Sequence, residues 1–234
     1  MGESEDQTYG LDLRSYGRKR GRKLSAHQAQ LLRDALPHFA LDISAPAPVD
    51  LVTLIGSPVR EVWLEIGFGG AEHLIWQARE NPHAGFIGCE PFEEGVVKAL
   101  TAIETEKLGN IRIHADDARP LLRWLPAQSL ARVFILFPDP WPKKRHQKRR
   151  LVSKESLELI ARVLQAGGEL RFATDIGDYA RSALFNILEN GSFGWLAESP
   201  ACWRERPADW PETRYERKAE REGRQRYYFR FRRS

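Results

Sequence analysis

The sequence FPDPWPKKRHQKRR, residues 137–150, places one carboxylate, Asp139, between two prolines and directly before a run of six lysines and arginines. The prolines restrict the backbone that carries the acid. Trp141 offers a flat face on which a nucleobase can stack, and the basic run can hold phosphates. Such a run can also be only a solvated surface or a nuclear-localisation signal. Further basic segments at 18–23 and 223–234, in a chain of net charge +4, favour a clustered surface that binds nucleic acid.

Acidic residues recur where the short apolar runs of the chain end. The carboxyl ends of parallel strands lie along one edge of a sheet, and ligands bind at that edge. One acid there would often only cap the following helix, whereas five indicate a binding site. These acids are Glu65, Glu90, Asp117, Asp139 and Asp175.

The glycine-rich turn EIGFGGAEH, residues 65–73, distinguishes between cofactors. Gly67 and Gly69 fit a tight turn that approaches a ligand, although a turn without ligand is the alternative reading of two glycines. A dinucleotide fingerprint would need a third glycine where this chain has Glu72. A carboxylate at Glu65 would repel a phosphate and suit a cation.

These features favour S-adenosylmethionine, which carries a sulfonium and an ammonium group and no phosphate. Glu90 follows Glu65 by one helix and one strand, where an acid can accept hydrogen bonds from both ribose hydroxyls. Asp117 is placed to accept one from the exocyclic amine of adenine.

The elements that must position these residues alternate between strands and helices. This rhythm predicts an α/β fold with a mostly parallel sheet and helices on both faces. The alternating C-terminal sequence RYYFRFRR predicts one more strand. The predicted strands are VREVWLEIGF (59–68), GFIGCE (85–90), IRIHADD (111–117), ARVFILFPD (131–139) and ELRFATD (169–175), and the helical segments include AEHLIWQARE, EEGVVKALTAIETEKL and SKESLELIARVL.

With 234 residues, of which 42% are hydrophobic, the chain can bury one sizeable core. We expect a basic N-terminal arm and lead-in helix over residues 1–50 and the main domain over 51–234. No apolar run is long enough to cross a bilayer, and the acidic N-terminus is unlike a secretory signal, so a cytoplasmic protein is expected. Neither Cys89 and Cys202 nor the six histidines have metal-ligand spacing, so we expect no metal.

Four motifs together carry a family resemblance: LEIGFG, FPDPWPKKRHQKRRL, FATDIGDYA and TRYERKAEREGR. From about residue 58 to the C-terminus the chain resembles the bacterial tRNA (guanine-N(7)-)-methyltransferases. The resemblance implies a Rossmann-like class I S-adenosylmethionine-dependent methyltransferase fold, tRNA as partner, and methylation of nitrogen 7 of guanosine 46 in the variable loop. A monomer or a homodimer is compatible with it. Ala71 is a departure, because many methyltransferases of this fold have a further glycine there.

The resemblance also implies roles for individual residues. Asp139 is then the catalytic residue. The implied cofactor contacts are Glu65, Gly67, Gly69, Glu90, Asp117 and Asp139, and the implied substrate contacts are Lys143, Asp175, Thr213, Arg214, Tyr215 and Glu216.

The chemistry of the implied reaction agrees with these residue types. Nitrogen 7 of guanine has an in-plane lone pair and no proton, so its methylation needs placement and no general base. Asp139 can orient the guanine through its N–H groups and stabilise the positive charge that arrives there. Residues 143–150 are expected to form a mobile loop that RNA orders. The alternatives are methylation of an exocyclic amine, because PDPW resembles the (D/N)PPY corner, and an RNA-binding module without activity.

Overall fold

The computed structural model describes residues 19–21 and 23–234, and its centre is a seven-stranded sheet. The strands are β1 (Glu61–Ile66), β2 (Ala84–Cys89), β3 (Ile111–His114), β4 (Leu130–Leu136), β5 (Leu164–Thr174), β6 (Phe193–Trp195) and β7 (Tyr227–Arg233). Their order is β3-β2-β1-β4-β5-β7-β6. The first five pair in parallel, and β7 is antiparallel to both β5 and β6. The predicted fold, a mostly parallel sheet with helices, is confirmed, including the C-terminal strand.

Helices connect the strands and cover the sheet. They are α1 (Ala26–Asp34), α2 (Leu36–Phe39), α3 (Glu72–Glu80), α4 (Glu93–Glu106), α5 (Ala118–Trp124), α6 (Lys154–Val163), α7 (Gly177–Glu189), α8 (Ala201–Arg204) and α9 (Arg214–Arg221). The three quoted helical segments form α3, α4 and α6. None of the helices described here has the length and apolar character that crossing a membrane requires.

The central strands β1, β2 and β4 are rich in apolar residues because both faces of the sheet are covered. In β4, Val133 and Ile135 join one buried apolar cluster, and Phe134 and Leu136 join the other. Alternate side chains of a strand point to opposite faces, so the two clusters are the two sides of one core. The order of the strands reverses between β1 and β4, which leaves a crevice at their carboxyl ends.

The N-terminal region reaches this core through α1. Ser25 begins the helix with a capping box, in which its hydroxyl accepts the N–H of Gln28 and the Gln28 side chain accepts the N–H of Ser25. Leu31 and Ala35 then pack into the same cluster as Phe134. Residues 1–18 and 22 of the predicted arm lie outside the described residues, and the division at residue 50 remains a prediction.

The basic run, which we expected to be a loop, contains a 3₁₀ helix over Lys144–Arg149. Arg150 directly follows this helix and is buried. Its Nε donates to the Pro140 carbonyl at 2.8 Å, and its Nη2 pairs with Asp178 at 2.6 Å. The run is therefore tied at its C-terminal end to the proline corner and to α7.

Candidate active site

A cavity of about 420 Å³ lies at the carboxyl ends of the strands, where their order reverses. It is bounded by the glycine turn after β1, the segments after β2 and β3, the proline corner after β4, and the start of α9. Its size is within the range of small-molecule sites. The lining includes seven of the residues predicted from sequence to bind cofactor or substrate, and the last of them is also the predicted catalytic acid: Gly67, Gly69, Glu90, Asp117, Arg214, Tyr215 and Asp139.

The glycine turn needs its glycines for two different reasons. Gly67 has φ 76°, which other residues rarely adopt, and a Cβ there would meet no atom within 4 Å. Gly69 has φ 54°, and a Cβ on it would lie 2.9 Å from the Tyr215 hydroxyl oxygen. Ala71, the departure noted in the sequence, adopts the left-handed conformation itself, with φ 64°. The turn therefore closes without the further glycine.

Glu90 directly follows β2 and is almost fully buried. Its Oε2 accepts the backbone N–H of Gly69 at 2.8 Å, and its Oε1 accepts that of Phe92 at 2.9 Å. Burial raises the pKa of the Glu90 carboxyl, and the nearby charge of Asp139 acts in the same direction. The two N–H groups fix the carboxylate against the turn while it lines the cavity.

Asp117 caps the N-terminus of α5 and also lines the cavity. Its Oδ1 accepts the backbone N–H of Arg119 at 2.8 Å and lies 3.1 Å from the Arg119 Nε. This cap fixes the start of α5 at the edge of the cavity and holds the Arg119 guanidinium next to the Asp117 carboxylate. Arg119 also lines the cavity, a contribution that the sequence reasoning missed although it follows Asp117 by two residues.

Glu65 is the predicted cofactor contact that does not line the cavity. It lies inside β1, is 3% exposed, and its Oε2 is 2.7 Å from Nδ1 of His73. The carboxylate is thus bound within the protein, and it lines a small neighbouring cavity together with Gly67, Phe137 and Tyr215. Its direct contact with a cofactor remains a prediction.

The proline corner holds Asp139 in a strained backbone. Phe137 and Trp141, on either side of it, have positive φ values of 50° and 41°, which are uncommon for bulky residues and cost free energy. Two backbone acceptors fix the corner: the Ala173 carbonyl accepts the Phe137 N–H at 2.8 Å, and the Pro140 carbonyl accepts Arg150 Nε. Among the described residues, none donates a hydrogen bond to the Asp139 carboxylate.

The aromatic residues of the corner make contacts that the residue pattern did not indicate. Trp141 lines the cavity, but its ring also lies 4.9 Å from the Arg149 guanidinium and packs edge-on against His146. Phe137 lies nearly parallel to Tyr215, with ring centroids 6.4 Å apart and an interplanar angle of 14°. The sequence reasoning missed Phe137, whose signal was its place immediately before the first proline of the corner.

Only half of the TRYE motif reaches the cavity. Thr213 and Glu216 form a capping box: the Thr213 hydroxyl accepts the Glu216 N–H at 3.3 Å, and Glu216 Oε2 accepts the Thr213 N–H at 2.8 Å. Both are buried, and Glu216 also accepts the Tyr228 hydroxyl at 2.7 Å. The box orients the first turn of α9 and so places Arg214 and Tyr215 at the cavity.

The two other predicted substrate contacts lie away from the cavity lining. Lys143 is exposed just before the basic 3₁₀ helix. Asp175 follows β5 and pairs with Arg224 at 2.7 Å. Across the described part of the chain, no group of three or more His, Cys, Asp and Glu side chains is arranged to hold a metal ion. Cys89 is a buried thiol, and its burial raises its pKa.

Comparison with known proteins identifies relatives along nearly the whole chain. The family described as "Putative methyltransferase" matches residues 59–229. A tRNA (guanine-N(7)-)-methyltransferase of Rhodopseudomonas palustris (strain BisB18) is 51% identical over 219 residues, which cover 94% of this chain and 87% of the relative. One from Rhizobium meliloti (strain 1021) is 48% identical over 219 residues and covers 94% of both chains.

The crystal structure of the 16S rRNA methyltransferase KamB has the same fold. It superposes with a TM-score of 0.52 at 18% identity and covers 78% of this chain and 92% of its own. The sheet order, the cavity at the reversal of that order, and relatives about 50% identical over most of their length lead to one conclusion. The chain belongs to the tRNA (guanine-N(7)-)-methyltransferase family and is an S-adenosylmethionine-dependent methyltransferase.

Proposed function

We propose that this protein transfers a methyl group from S-adenosylmethionine to nitrogen 7 of guanosine 46 in the variable loop of tRNA. The names of the relatives supply the substrate, the atom and the reaction. The observation that carries the proposal is the Asp139 carboxylate, which lines the cavity and accepts no hydrogen bond from any described residue. An acid left in this state beside a basic helix is suited to bind the N–H groups of a guanine.

The cavity residues fit the proposed cofactor. S-adenosylmethionine supplies a methyl group on a positively charged sulfur. Gly67 leaves open space where a Cβ would stand, and the buried Glu90 carboxylate beside it is a strong acceptor for hydroxyl groups. Asp117 Oδ2 is not used by the cap, which engages Oδ1, so Asp117 retains an acceptor for an exocyclic amine. We assign Glu90 and Asp117 to the cofactor on this basis.

Asp139 then acts by orientation and by charge. Nitrogen 7 attacks with its own lone pair, so no residue of the chain has to remove a proton. The Asp139 carboxylate accepts hydrogen bonds from the guanine N–H groups, which fixes the base in the plane that transfer requires. As positive charge builds on the base, the fixed carboxylate stabilises it more in the transition state than before reaction.

The substrate residues form two groups in this proposal. Arg214 and Tyr215 approach the base from α9, where the Thr213–Glu216 capping box holds them. Lys143 and the exposed residues of the basic helix bind the phosphates around the target nucleotide. Asp175 does not line the cavity, and it contributes by holding Arg224, which lies in the segment just before β7.

The test is methyl transfer to unmodified tRNA with S-adenosylmethionine, followed by reduction and aniline cleavage at 7-methylguanosine to map the position. We expect one cleavage, at position 46, and the same extent of transfer when a chelator is present and the tRNA has been folded beforehand. Methylation at an exocyclic amine, or no transfer at all, contradicts the proposed function. Because its substrate is tRNA, we place the protein in the cytoplasm, which fractionation of cells can check.

A further inference from the structure

The outward side of α9 concentrates positive charge. Successive residues of a helix are about 100° apart around its axis, and the basic residues of α9 fall within an arc of about 100°. We call them the α9 basic face: Arg214, Arg217, Lys218 and Arg221. Glu216 and Ala219, which are buried, lie on the opposite side of the helix. The α9 basic face is therefore turned away from the core.

The helix that carries this face is held firmly by its buried side. Glu216 Oε2 accepts the Thr213 N–H at 2.8 Å, and Glu216 Oε1 accepts the Tyr228 hydroxyl at 2.7 Å. Arg206 also pairs with Glu216, at 3.4 Å. Glu216 thus connects the first turn of α9 to β7 and to the segment that precedes the helix. These bonds fix the position of the α9 basic face relative to the sheet.

The acids of the protein neutralise little of this charge. Arg217 pairs with Glu212 at 3.6 Å, but both side chains are exposed, and such pairs are weak. Lys218 and Arg221 are exposed, and within the part of the chain that the structure describes no carboxylate pairs with either. Glu220 of the same helix is paired with an arginine just before β7. The charge is therefore available to an anionic partner.

The α9 basic face begins at the cavity, on the other face of the sheet from the basic 3₁₀ helix. Arg214, its first member, lines the cavity and lies 3.9 Å from Glu72. Trp210 and Tyr228, which precede and follow α9 in the chain, pack in the apolar cluster of α3 and α4. Val152, just after the 3₁₀ helix, packs in the other cluster. Cations therefore border the cavity from both faces of the sheet.

We propose that the α9 basic face is a second phosphate-binding surface for tRNA. The basic 3₁₀ helix binds phosphates on one side of the target nucleotide, and α9 binds those on the other side, so the RNA strand crosses the cavity between them. From Arg214 to Arg221 the helix rises about 10 Å, over which one strand of a duplex carries about three phosphates. The surface supplies affinity and register and takes no part in the chemistry. This assignment rests on the proposed function, because tRNA is its ligand.

Two variants of equal charge test the proposal. The test variant changes the members of the α9 basic face that lie outside the cavity lining: Arg217→Gln, Lys218→Gln and Arg221→Gln. The control variant changes exposed cations at the C-terminal ends of α3, α4 and α5, at the edge of the sheet away from the cavity: Arg79→Gln, Lys107→Gln and Arg123→Gln. Both lose the same positive charge, so a difference between them reflects position. Thermal unfolding checks that both fold.

The affinity for unmodified tRNA is measured by fluorescence anisotropy at several salt concentrations. Each lost phosphate contact lowers the log–log slope by about 0.7 to 0.9, so the slope of the test variant should fall by about 1.5 or more. Its dissociation constant and its KM for tRNA should rise about tenfold, with kcat at saturating tRNA within about twofold of the parent. The control variant should keep the parent slope. An unchanged slope in the test variant, or equal changes in both variants, overturns the proposal.

Phosphate ethylation interference then locates the contacts on the tRNA. We compare the test variant with one in which the basic 3₁₀ helix is changed by Lys144→Ala, Arg145→Ala and Lys148→Ala. Each variant should become insensitive to ethylation at a different set of phosphates, on the two sides of the target nucleotide. Loss of the same set in both would show that α9 is not a second surface. If the parent binds tRNA but transfers no methyl group, the proposed function fails, and the salt slopes still decide the role of α9.

Discussion

Glu65 and Asp139 are acids near the carboxyl ends of neighbouring strands, but their surroundings differ. Glu65 is inside its strand and accepts a hydrogen bond from a buried histidine. Asp139 lies three residues beyond its strand, in a corner whose strained backbone carries it to the cavity. Among the residues that the structure describes, none donates a hydrogen bond to the Asp139 carboxylate, so its oxygens are available to a substrate.

Asp139→Asn should therefore separate binding from chemistry. The amide keeps the shape of the side chain and removes the charge that favours the transition state, so tRNA affinity should be retained while transfer falls about 100-fold or more. Single-turnover transfer over a tRNA titration measures both quantities. Asp42→Asn, at an exposed loop residue, serves as the control. Recovery of the rate at saturating tRNA would mean that Asp139 contributes only to binding.

Glu90 predicts a pH dependence of cofactor binding. Burial raises the pKa of its carboxyl above the ordinary value of 4.5, so protonation of the cofactor-free protein begins at a higher pH than for an exposed glutamate. The protonated form loses an acceptor. Affinity for S-adenosylhomocysteine should therefore be constant above the raised pKa and decrease as the pH falls through it.

The raised pKa of Glu90 also affects the stability of the cofactor-free protein, which should increase as the pH falls. Because the folded-state pKa is raised, the ionised form costs stability at neutral pH, and that cost declines as the pH falls. Calorimetric titrations with S-adenosylhomocysteine from pH 7.5 to 5 measure the pH dependence of the affinity, with Glu90→Gln as control. A parent protein and a Glu90→Gln variant with the same pH profile would assign the effect to another group.

At the scale of elements, the basic run divides into a surface and an anchor. Lys144, Arg145 and Lys148 are exposed on the 3₁₀ helix, whereas Arg150 is buried beyond its end. Phosphates can reach the first three. The guanidinium of Arg150 is already bonded to the protein, so its role is to hold the corner that carries Asp139.

Replacing Lys144, Arg145 and Lys148 together by alanine should weaken tRNA binding and reduce its salt dependence. Each lost phosphate contact lowers the log–log slope by about 0.7 to 0.9. Affinities measured at several salt concentrations give that slope, and thermal unfolding should be almost unchanged. An unaltered slope would show that the phosphates bind elsewhere.

Arg150→Ala should change the stability of the protein and leave the salt dependence of tRNA binding as it is. It removes three hydrogen bonds of a buried guanidinium, to Pro140, Ser182 and Asp178, which we expect to lower the free energy of unfolding by about 2 kcal/mol or more. Transfer should slow because the corner is released, and the salt slope for tRNA should stay the same. Denaturant unfolding measures the first effect, and a stability equal to that of the parent would contradict the anchor role.

At the scale of the whole molecule, the last strand completes the sheet. β7 lies between β5 and β6, and its side chains Tyr228, Phe229 and Phe231 are buried. The sheet is therefore complete only when β7 has paired with β5, which lies far earlier in the sequence. Long-range pairing of this kind makes the fold depend on the final residues.

Phe231→Ala should accordingly destabilise the entire domain. The side chain is fully buried in the core, and a Phe-to-Ala change at such a site costs about 3 to 5 kcal/mol. Arg232→Ala, at the exposed next residue of the strand, should cost less than about 0.5 kcal/mol. Chemical denaturation of both variants gives the comparison. Similar stabilities would mean that β7 is not part of the cooperative unit.

The sequence by itself determined the alternation of strands and helices, the edge at which ligands bind and the corner that carries Asp139. Those features are local: apolar runs, glycines and prolines act on their own backbone, and acids just after strands share an edge in any parallel sheet. It also supplied the motifs that identify the family.

Tertiary structure alone decided what each acid contacts. Glu65, Asp117 and Glu216 have the same charge, but one binds His73, one begins a helix beside the cavity, and one closes a capping box. The conformation of the basic run likewise depends on Arg150, whose partner Asp178 lies on α7. Hydrogen bonds between distant segments have no signature in the residue pattern, because donors and acceptors are common in sequence and become specific only when packing brings them together.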